Sequence, residues 1–580
     1  MASVNPEIKT GRLSAAAFCL FMVLALSLFR MQILQGSYYR ALSKKNHIRL
    51  VYLEAARGKI LDRNGKPIVT NRLSFNCTAF LRESHGSVSQ SIRRLAGLLD
   101  ERPEDLKARF EKKRAGVYNT VLLAEDIEPE KAMAVEEELH RLPGIMVETR
   151  PVREYPLGEA AAHLSGFIGP LTGSEAQELE GFGYRPSDWI GRDGIEKNYE
   201  NYLKGRSGGL QLEVNSRGQF LRVLGVKEPE EGRPLYLSVD ADLQQAVQKL
   251  LDGRPGAVMV MELGAGEILA MNSSPSYNPN LFASTKGRKK VDPYLSGDFS
   301  PMLNRSIQGQ YPLGSVFKVI TGLAALESRK ITPASTQVCP GFYTLGNRVF
   351  RCWKEKGHGA QNLTEAYAHS CDIYFYLAGL AAGPDAIGRK AMEFGFAAVT
   401  GVDLPGEKKG LVPSKAWKQK KLQSGWFDGD TLNFSIGQGY LQVTPIQALN
   451  MMAAIATDGR LLRPHLVKQI DKQTVAVPHA RHVELSPAHL QAIQEGLHAV
   501  VNSDTGTGRL AKIPGVTVAG KTGTAEAGKE DTHAWYAGYA PAENPKVAFV
   551  IFLEHGGHGG VEAAAVARGT LEKLKEKHYL

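Results

Sequence analysis

The 580-residue sequence lacks the usual marks of a nucleic-acid binder, a repeat protein or a disordered chain. No long basic run with interleaved aromatics occurs, although the formal net charge is +10; nucleic acid is therefore excluded as a partner. The mild positive excess suits a protein working near anionic lipid or another polyanionic surface. No internal repeat or low-complexity segment stands out, and 43% hydrophobic with 22% charged residues is an ordinary globular balance, so disorder is excluded as the theme. Cysteine is scarce, at five residues, and its spacing forms no compact zinc-finger pattern. Long apolar runs are also scarce. The stretch Leu13 to Phe29 carries no charge, and continued to Leu34 it reaches membrane-spanning length, with Arg30 able to snorkel. No small-x-small site follows it, which excludes a cleaved signal peptide and leaves an uncleaved single-pass anchor.

The anchor splits the chain into a tail (1–12), a span (13–34) and everything beyond. Lys9 and Arg12 precede the span; Arg30, Arg40, Lys44, Lys45 and Arg49 follow it. A raw positive-inside count would place the C-terminal side in the cytoplasm, but long domains translocate largely regardless of flanking charge. A second region, 46–227, holds a strand running into an Asn-Gly turn at Arg57–Gly65 and two charged helices with proline at their starts, Pro103–Lys113 and Pro129–Leu142. Arg153-Glu154-Tyr155-Pro156 and Gly191–Glu196 punctuate it. No nucleophile–base pair appears there, so it reads as a spacer or docking module. Glu228–Pro234 is a polar, proline-bearing linker.

A third region, 235–580, opens with strands at Leu235–Val239, Ala257–Leu263 and Glu267–Met271 and a helix at Ala241–Leu251. Helices follow at Ser315–Leu326, Thr364–Ala382, Pro445–Ala456 and Pro487–Val501. Strands at Val516–Thr522, Ala534–Tyr539 and Val547–Leu553 form an antiparallel meander, and a helix at Val561–Lys575 comes last. The fold class is α+β: an antiparallel sheet with helices on both faces, preceded by a smaller α+β region and one transmembrane helix.

Three short motifs in this region carry chemistry. In Pro312–Lys318, Ser315 and Lys318 stand three apart, on one face of a helix whose continuation is almost wholly apolar. A buried lysine sheds its proton more easily, and a neutral lysine beside a hydroxyl is a base beside a nucleophile; the helix N-terminus adds N–H groups where an oxyanion can form. Most Ser-x-x-Lys pairs lie on solvated helices, but the neighbours here are glycine and apolar residues. Lys521-Thr522-Gly523-Thr524 reads as a lysine and hydroxyls on one face of a strand, an anion-binding rail, with Gly523 permitting close approach of a substrate backbone. The copy of its first three residues at Lys9-Thr10-Gly11 is incidental. Ser370-Cys371-Asp372 interrupts an apolar helical stretch; it is either a satisfied polar nick or a second hydroxyl and a short polar group facing a cleft.

In this order the three motifs resemble the signatures of the penicillin-recognising serine acyltransferases. Arg57–Gly65, Arg153–Pro156, Gly191–Glu196, Ser435-Ile436-Gly437-Gln438-Gly439-Tyr440, Thr444-Pro445 and His533-Ala534-Trp535 extend the likeness over nearly the whole chain. It is similar to the class B penicillin-binding proteins, most of all to the elongation branch, penicillin-binding protein 2; the division branch is the closest rival. Many relatives carry Asn where Asp372 stands, though this branch often has Asp. The resemblance implies a membrane anchor, a pedestal and a D,D-transpeptidase domain that cross-links peptidoglycan stem peptides outside the cytoplasmic membrane. It implies Ser315 as nucleophile, Lys318 as base, Ser370 and Lys521 as a proton relay, Asp372 in the middle motif, and Thr522, Gly523 and Thr524 around the substrate carboxylate. Inhibition by β-lactams and a membrane-embedded SEDS-type glycosyltransferase partner are implied too. A β-lactamase is disfavoured by the anchor, the pedestal and the lack of an assignable deacylating Glu, and a non-enzymatic sensor by the single span without an effector domain.

No cofactor is needed for the acyl transfer itself, but Cys339, Cys352 and Cys371 fall between the first and middle motifs with His358 among them. A Cys339–Cys352 disulfide, free buried thiols and a closed Cys3His zinc site are the three readings. Some penicillin-binding proteins 2 hold a zinc near the active site through Asp, Asp, His and Cys. Cys352, His358 and Cys371 match three of those places, with Cys339 standing in for an Asp.

Overall fold

The computed structural model describes residues 6–39, 48–80, 85–113, 120–214, 220–288, 290–297, 299–477, 480–528 and 532–580. Arg40, Lys44, Lys45 and the start of the second region at Asn46 lie outside the described residues. The chain packs as two units.

The first unit comprises 1–56, 73–151 and 205–231. Its N-terminal helix, Pro6–Phe29, runs on through a π-helical turn, Arg30–Leu34. Leu13–Leu34 has a mean hydropathy of 2.1 and none of it is buried within the protein; an apolar surface of this length is what a bilayer covers. A three-stranded antiparallel sheet is built from Ile48–Leu53, Gly208–Val214 and Phe220–Lys227. Helices His85–Leu99, Pro103–Lys113 and Pro129–Glu137 accompany a small core that includes Cys77, Leu95, Leu106, Val121 and Val135. The helix expected to reach Leu142 is replaced after Glu137 by a 3₁₀ turn at Leu139–Arg141.

The second unit comprises 57–72, 152–204 and 232–580. Its division thus differs from a contiguous cut near residue 230, and an ion network shows why. Glu196, fully buried, accepts from Arg153 Nε at 2.6 Å and Arg57 Nη2 at 2.7 Å, while Arg57 also holds Glu200 at 2.7 Å. Burial pushes the Glu196 carboxyl up, but Arg153 and Arg57 pull it down further, to a net value below the ordinary one. Three motifs separate in sequence thereby close one charge cluster, which only this pairing makes tolerable.

The main sheet has five strands: β1 (Gly256–Glu262), β2 (Ile268–Ser274), β3 (Ala519–Glu526), β4 (Thr532–Ala540) and β5 (Val547–Leu553), in the order β2-β1-β5-β4-β3 and antiparallel throughout. Every residue of β5 is buried. Alternate strand residues face opposite ways, so helices cover the sheet on both faces. One of them, α4 (Pro445–Ala456), is buried along its whole length. The order leaves β3, the strand of the Lys521 motif, at the edge.

The candidate active site

Ser315 sits in a 3₁₀ turn, Gly314–Phe317, that feeds α1 (Lys318–Glu327). The expected helix is present, but its first turn is tighter. In a 3₁₀ turn residues i and i+3 eclipse, so Ser315 and Lys318 lie on one side of the turn. Two glycines let this turn approach its neighbours. Gly314, at φ +59°, donates its N–H to Gly437 O at 2.9 Å, and a Cβ on it would lie 2.8 Å from Thr524 O. Gly437, at φ +75°, would put a Cβ 2.3 Å from Gly314 O. The nucleophile turn is thus wedged between β3 and the Ser435–Tyr440 loop.

The middle motif does not lie inside one helix. The expected Thr364–Ala382 helix is two, α2 (Leu363–Ala368) and α3 (Asp372–Ala382), because Ser370 takes the left-handed conformation at φ +52°. Cys371 N–H reaches back to Ala366 O and Ser370 N–H to Tyr367 O, which satisfies carbonyls at the end of α2. A non-glycine residue held at positive φ is strained, and such residues gather where function requires the geometry.

The break delivers Ser370 to both lysines. Lys318 Nζ, wholly buried, donates to Ser370 O at 2.8 Å, to Ser370 Oγ at 3.4 Å and to Asp372 Oδ1 at 2.8 Å. Lys521 Nζ donates to Ser370 Oγ at 2.9 Å and to Thr522 O at 2.9 Å. The lysine whose charge the structure opposes is Lys521: burial first, then Lys318, hold it well below the ordinary lysine range. Thr522 and Thr524 do not share a face with Lys521 as expected, since strand residues alternate. Lys521 reaches Ser370; Thr522 Oγ1 donates to Thr507 Oγ1 at 3.0 Å, and Thr524 Oγ1 accepts from Gly559 N–H at 3.2 Å. Gly523 packs closely: a Cβ there would lie 3.0 Å from Leu313 O. Gln438 donates to Thr524 O at 3.5 Å, on the side away from β4; N–H and C=O of one residue in an antiparallel strand point the same way, so the Thr524 N–H faces the serine turn.

Beside this site the four expected metal ligands converge. The Sγ atoms of Cys339, Cys352 and Cys371 and a ring nitrogen of His358 all lie within 4.8 Å of one another. All five cysteines are free thiols, so the Cys339–Cys352 disulfide is not formed. His358 Nδ1 stands 3.6 Å from Cys339 Sγ and 3.5 Å from Cys352 Sγ. A tetrahedral zinc with Zn–S of about 2.3 Å and Zn–N of about 2.0–2.1 Å sets sulfur and nitrogen ligands about 3.5–3.6 Å apart, so the cluster fits a metal ion. The Cys371 thiol pulls Cys352 down and is itself pushed up, as when one thiolate is shared. The cluster joins the active site twice. Cys371 separates Ser370 from Asp372, and Trp353 N–H, next to Cys352, donates to Asp372 Oδ2 at 3.1 Å. Sequence reasoning quoted Gln438 only as part of the Ser435–Tyr440 likeness and gave no role to it, to Trp353 or to Thr507, which sit in loops and carry no periodic signal.

A nucleophile turn above a buried lysine, with one hydroxyl shared between that lysine and a second on an edge strand, defines a serine acyltransferase. The comparisons agree. The penicillin binding protein transpeptidase domain matches residues 256–572, and the penicillin-binding protein dimerisation domain matches residues 52–237. The peptidoglycan D,D-transpeptidase MrdA of Acinetobacter baumannii is 33% identical, over 98% of this chain and 88% of its own. That of Escherichia coli K12 is 32% identical, over 93% and 89%. Penicillin-binding protein PBP2 of Helicobacter pylori, solved in complex with MreC, is 32% identical with a TM-score of 0.83, covering 92% of this chain and 99% of that one. The chain belongs to the penicillin-binding protein transpeptidases, and it is similar to their MrdA, or PBP2, members.

Proposed function

We propose that the protein is an elongation-type peptidoglycan D,D-transpeptidase, anchored by its N-terminal helix with the catalytic unit outside the cytoplasmic membrane, and inhibited by β-lactams. The observation that carries it is the Lys318–Ser370–Lys521 array beside the Ser315 turn. Ser315 Oγ attacks the carbonyl of the penultimate D-Ala while Lys318, paired with Asp372 Oδ1 at 2.8 Å, takes the hydroxyl proton. The N–H groups of Ser315 and Thr524 receive the oxyanion. As the C–N bond breaks, Ser370, oriented by Lys521, hands its proton to the departing D-Ala amine and regains one from Lys318, whose Nζ lies 3.4 Å from its Oγ. The amine of a neighbouring stem peptide then attacks the ester carbonyl, the bond from that carbon to Ser315 Oγ breaks, and the proton lost by the amine returns to Ser315 Oγ. Thr522 and Thr524 hold the substrate carboxylate, and Gly523 lets its backbone lie close.

Cys339, Cys352, His358 and Cys371 would hold one structural zinc, which pins the middle motif to the preceding loop; the acyl transfer needs no cofactor. The 46–227 region serves as a pedestal, and a SEDS-type glycosyltransferase in the membrane supplies the glycan strands, consistent with the likeness to a solved chain titled as part of a peptidoglycan synthase complex (32% identity, TM-score 0.75).

Labelling with fluorescent penicillin and mapping of the adduct tests the assignment. The label is expected on Ser315, absent in Ser315→Ala and severely reduced in Lys318→Ala; an adduct on another serine refutes it. Elemental analysis of protein purified without chelator should find about one zinc per chain, lost in Cys352→Ser. Metal-free protein with full acylation would remove the zinc.

A further inference from the structure

Two threonines are assigned to the carboxylate, but their hydroxyls are not equally ready for it. A carboxylate can only accept hydrogen bonds. Thr524 Oγ1 accepts from Gly559 N–H, so its own proton is available. Thr522, only 6% exposed, spends its proton on Thr507 Oγ1 at 3.0 Å. For Thr522 to donate to a carboxylate, its O–H must turn, and Thr507 must turn to donate to it.

Thr507 is built to do this. It is half-buried, with its N–H donated to Ala368 O at 3.0 Å, two residues before Ser370. Gly506 presses against the preceding helix, where a Cβ would lie 2.3 Å from Val500 O. Thr505 Oγ1 pairs with His369 Nε2 at 2.9 Å. The 503–508 loop therefore ties the Ser370 side of the cleft to β3, and Thr507 is the residue that meets the substrate strand.

We propose that Thr507 is a positioning residue for recognition of the donor carboxylate: on ligand binding the Thr507–Thr522 hydrogen bond reverses, so that Thr507 donates to Thr522 and Thr522 to the carboxylate. This rests on the transpeptidase reading. No covalent bond is made or broken. The resulting chain ends on an anion, which strengthens each hydrogen bond in it. Thr507 acts only through Thr522, so its effect depends on the ligand's negative charge.

The test uses the full chain in detergent and two acylating agents, benzylpenicillin and its methyl ester, which lacks the carboxylate. Second-order acylation constants are read by intact mass. Thr507→Val is expected to slow benzylpenicillin about fivefold, the worth of one hydrogen bond between uncharged groups in a chain that ends on an anion, and to leave the ester within about twofold of wild type. Thr507→Ser, which keeps the hydroxyl, should restore the benzylpenicillin rate. An equal loss with acid and ester would mean a structural role and overturn the proposal, as would an unchanged benzylpenicillin rate or a serine variant that fails to recover. Wild-type protein that takes up neither compound on Ser315 would sink the transpeptidase reading itself, and this proposal with it.

Discussion

Lys521→Met removes an amino group from a wholly buried position while keeping most of the side chain's volume. Burial, then Lys318, disfavour the charged form, so the folded-state value lies well below that of an unfolded lysine, 10.5. Between the two values the unfolded chain binds the extra proton, and wild-type stability must rise with pH there, by at most about 1.4 kcal/mol per pH unit for one proton. Above the unfolded value the term vanishes. Methionine has no such slope. The variant should therefore be more stable than wild type near neutrality, and its advantage should shrink as pH climbs toward 10.5. Its catalysis should fail in parallel, since Ser370 Oγ loses the donor at 2.9 Å. Denaturant unfolding at several pH values between 7 and 11, with penicillin acylation on the same samples, reads both effects. A stability difference that does not change with pH would refute the reasoning, and so would a variant that acylates at the wild-type rate.

Two further outcomes follow from packing and charge. Glu196→Gln leaves Arg153 without its buried counter-charge and Arg57 with Glu200 alone, and should cost about 3–5 kcal/mol by chemical denaturation; a loss below about 1 kcal/mol would show that the network is relaxed in solution. Gly437→Ala places a Cβ 2.3 Å from Gly314 O and 2.7 Å from Phe317 Cβ. The shifted serine turn should acylate about a hundredfold more slowly while the circular dichroism spectrum stays native, and an unchanged rate would show that the turn does not need this close approach.

What the sequence revealed, and what it hid, follow from the range of the interactions. The Ser315–Lys318 pair is local: three positions on any helical turn bring the two side chains together, so the motif was legible as a site. Lys521 was legible as a motif but not in its direction, because pairing it with the threonines on one face ignored the two-residue period of the strand. The break at Ser370 had no signal, since positive φ is announced by glycine or asparagine and here a serine adopts it. Cys339, Cys352, His358 and Cys371 were noticed together even though no compact spacing joins them, and folding brings them within 4.8 Å. The Arg57–Glu196 pair, 139 residues apart, shows the opposite limit: each motif could be seen, but their meeting in the second unit could not.

The edge position of β3 carries a consequence for what this protein can distinguish. An edge strand has one side with no neighbouring strand, and here that edge runs past the nucleophile turn, where side chains such as Gln438 meet its carbonyls. A peptide laid along it would join the sheet as a sixth strand, bonded through its backbone alone. Such pairing is nearly indifferent to side chains, so selectivity falls to the ends of the segment: the scissile carbonyl at one point, a negative charge at another. Any small rigid molecule that sets a strained carbonyl at the right distance from a carboxylate satisfies the same two demands without being a peptide, and a site built this way cannot refuse it without loosening its hold on its own substrate.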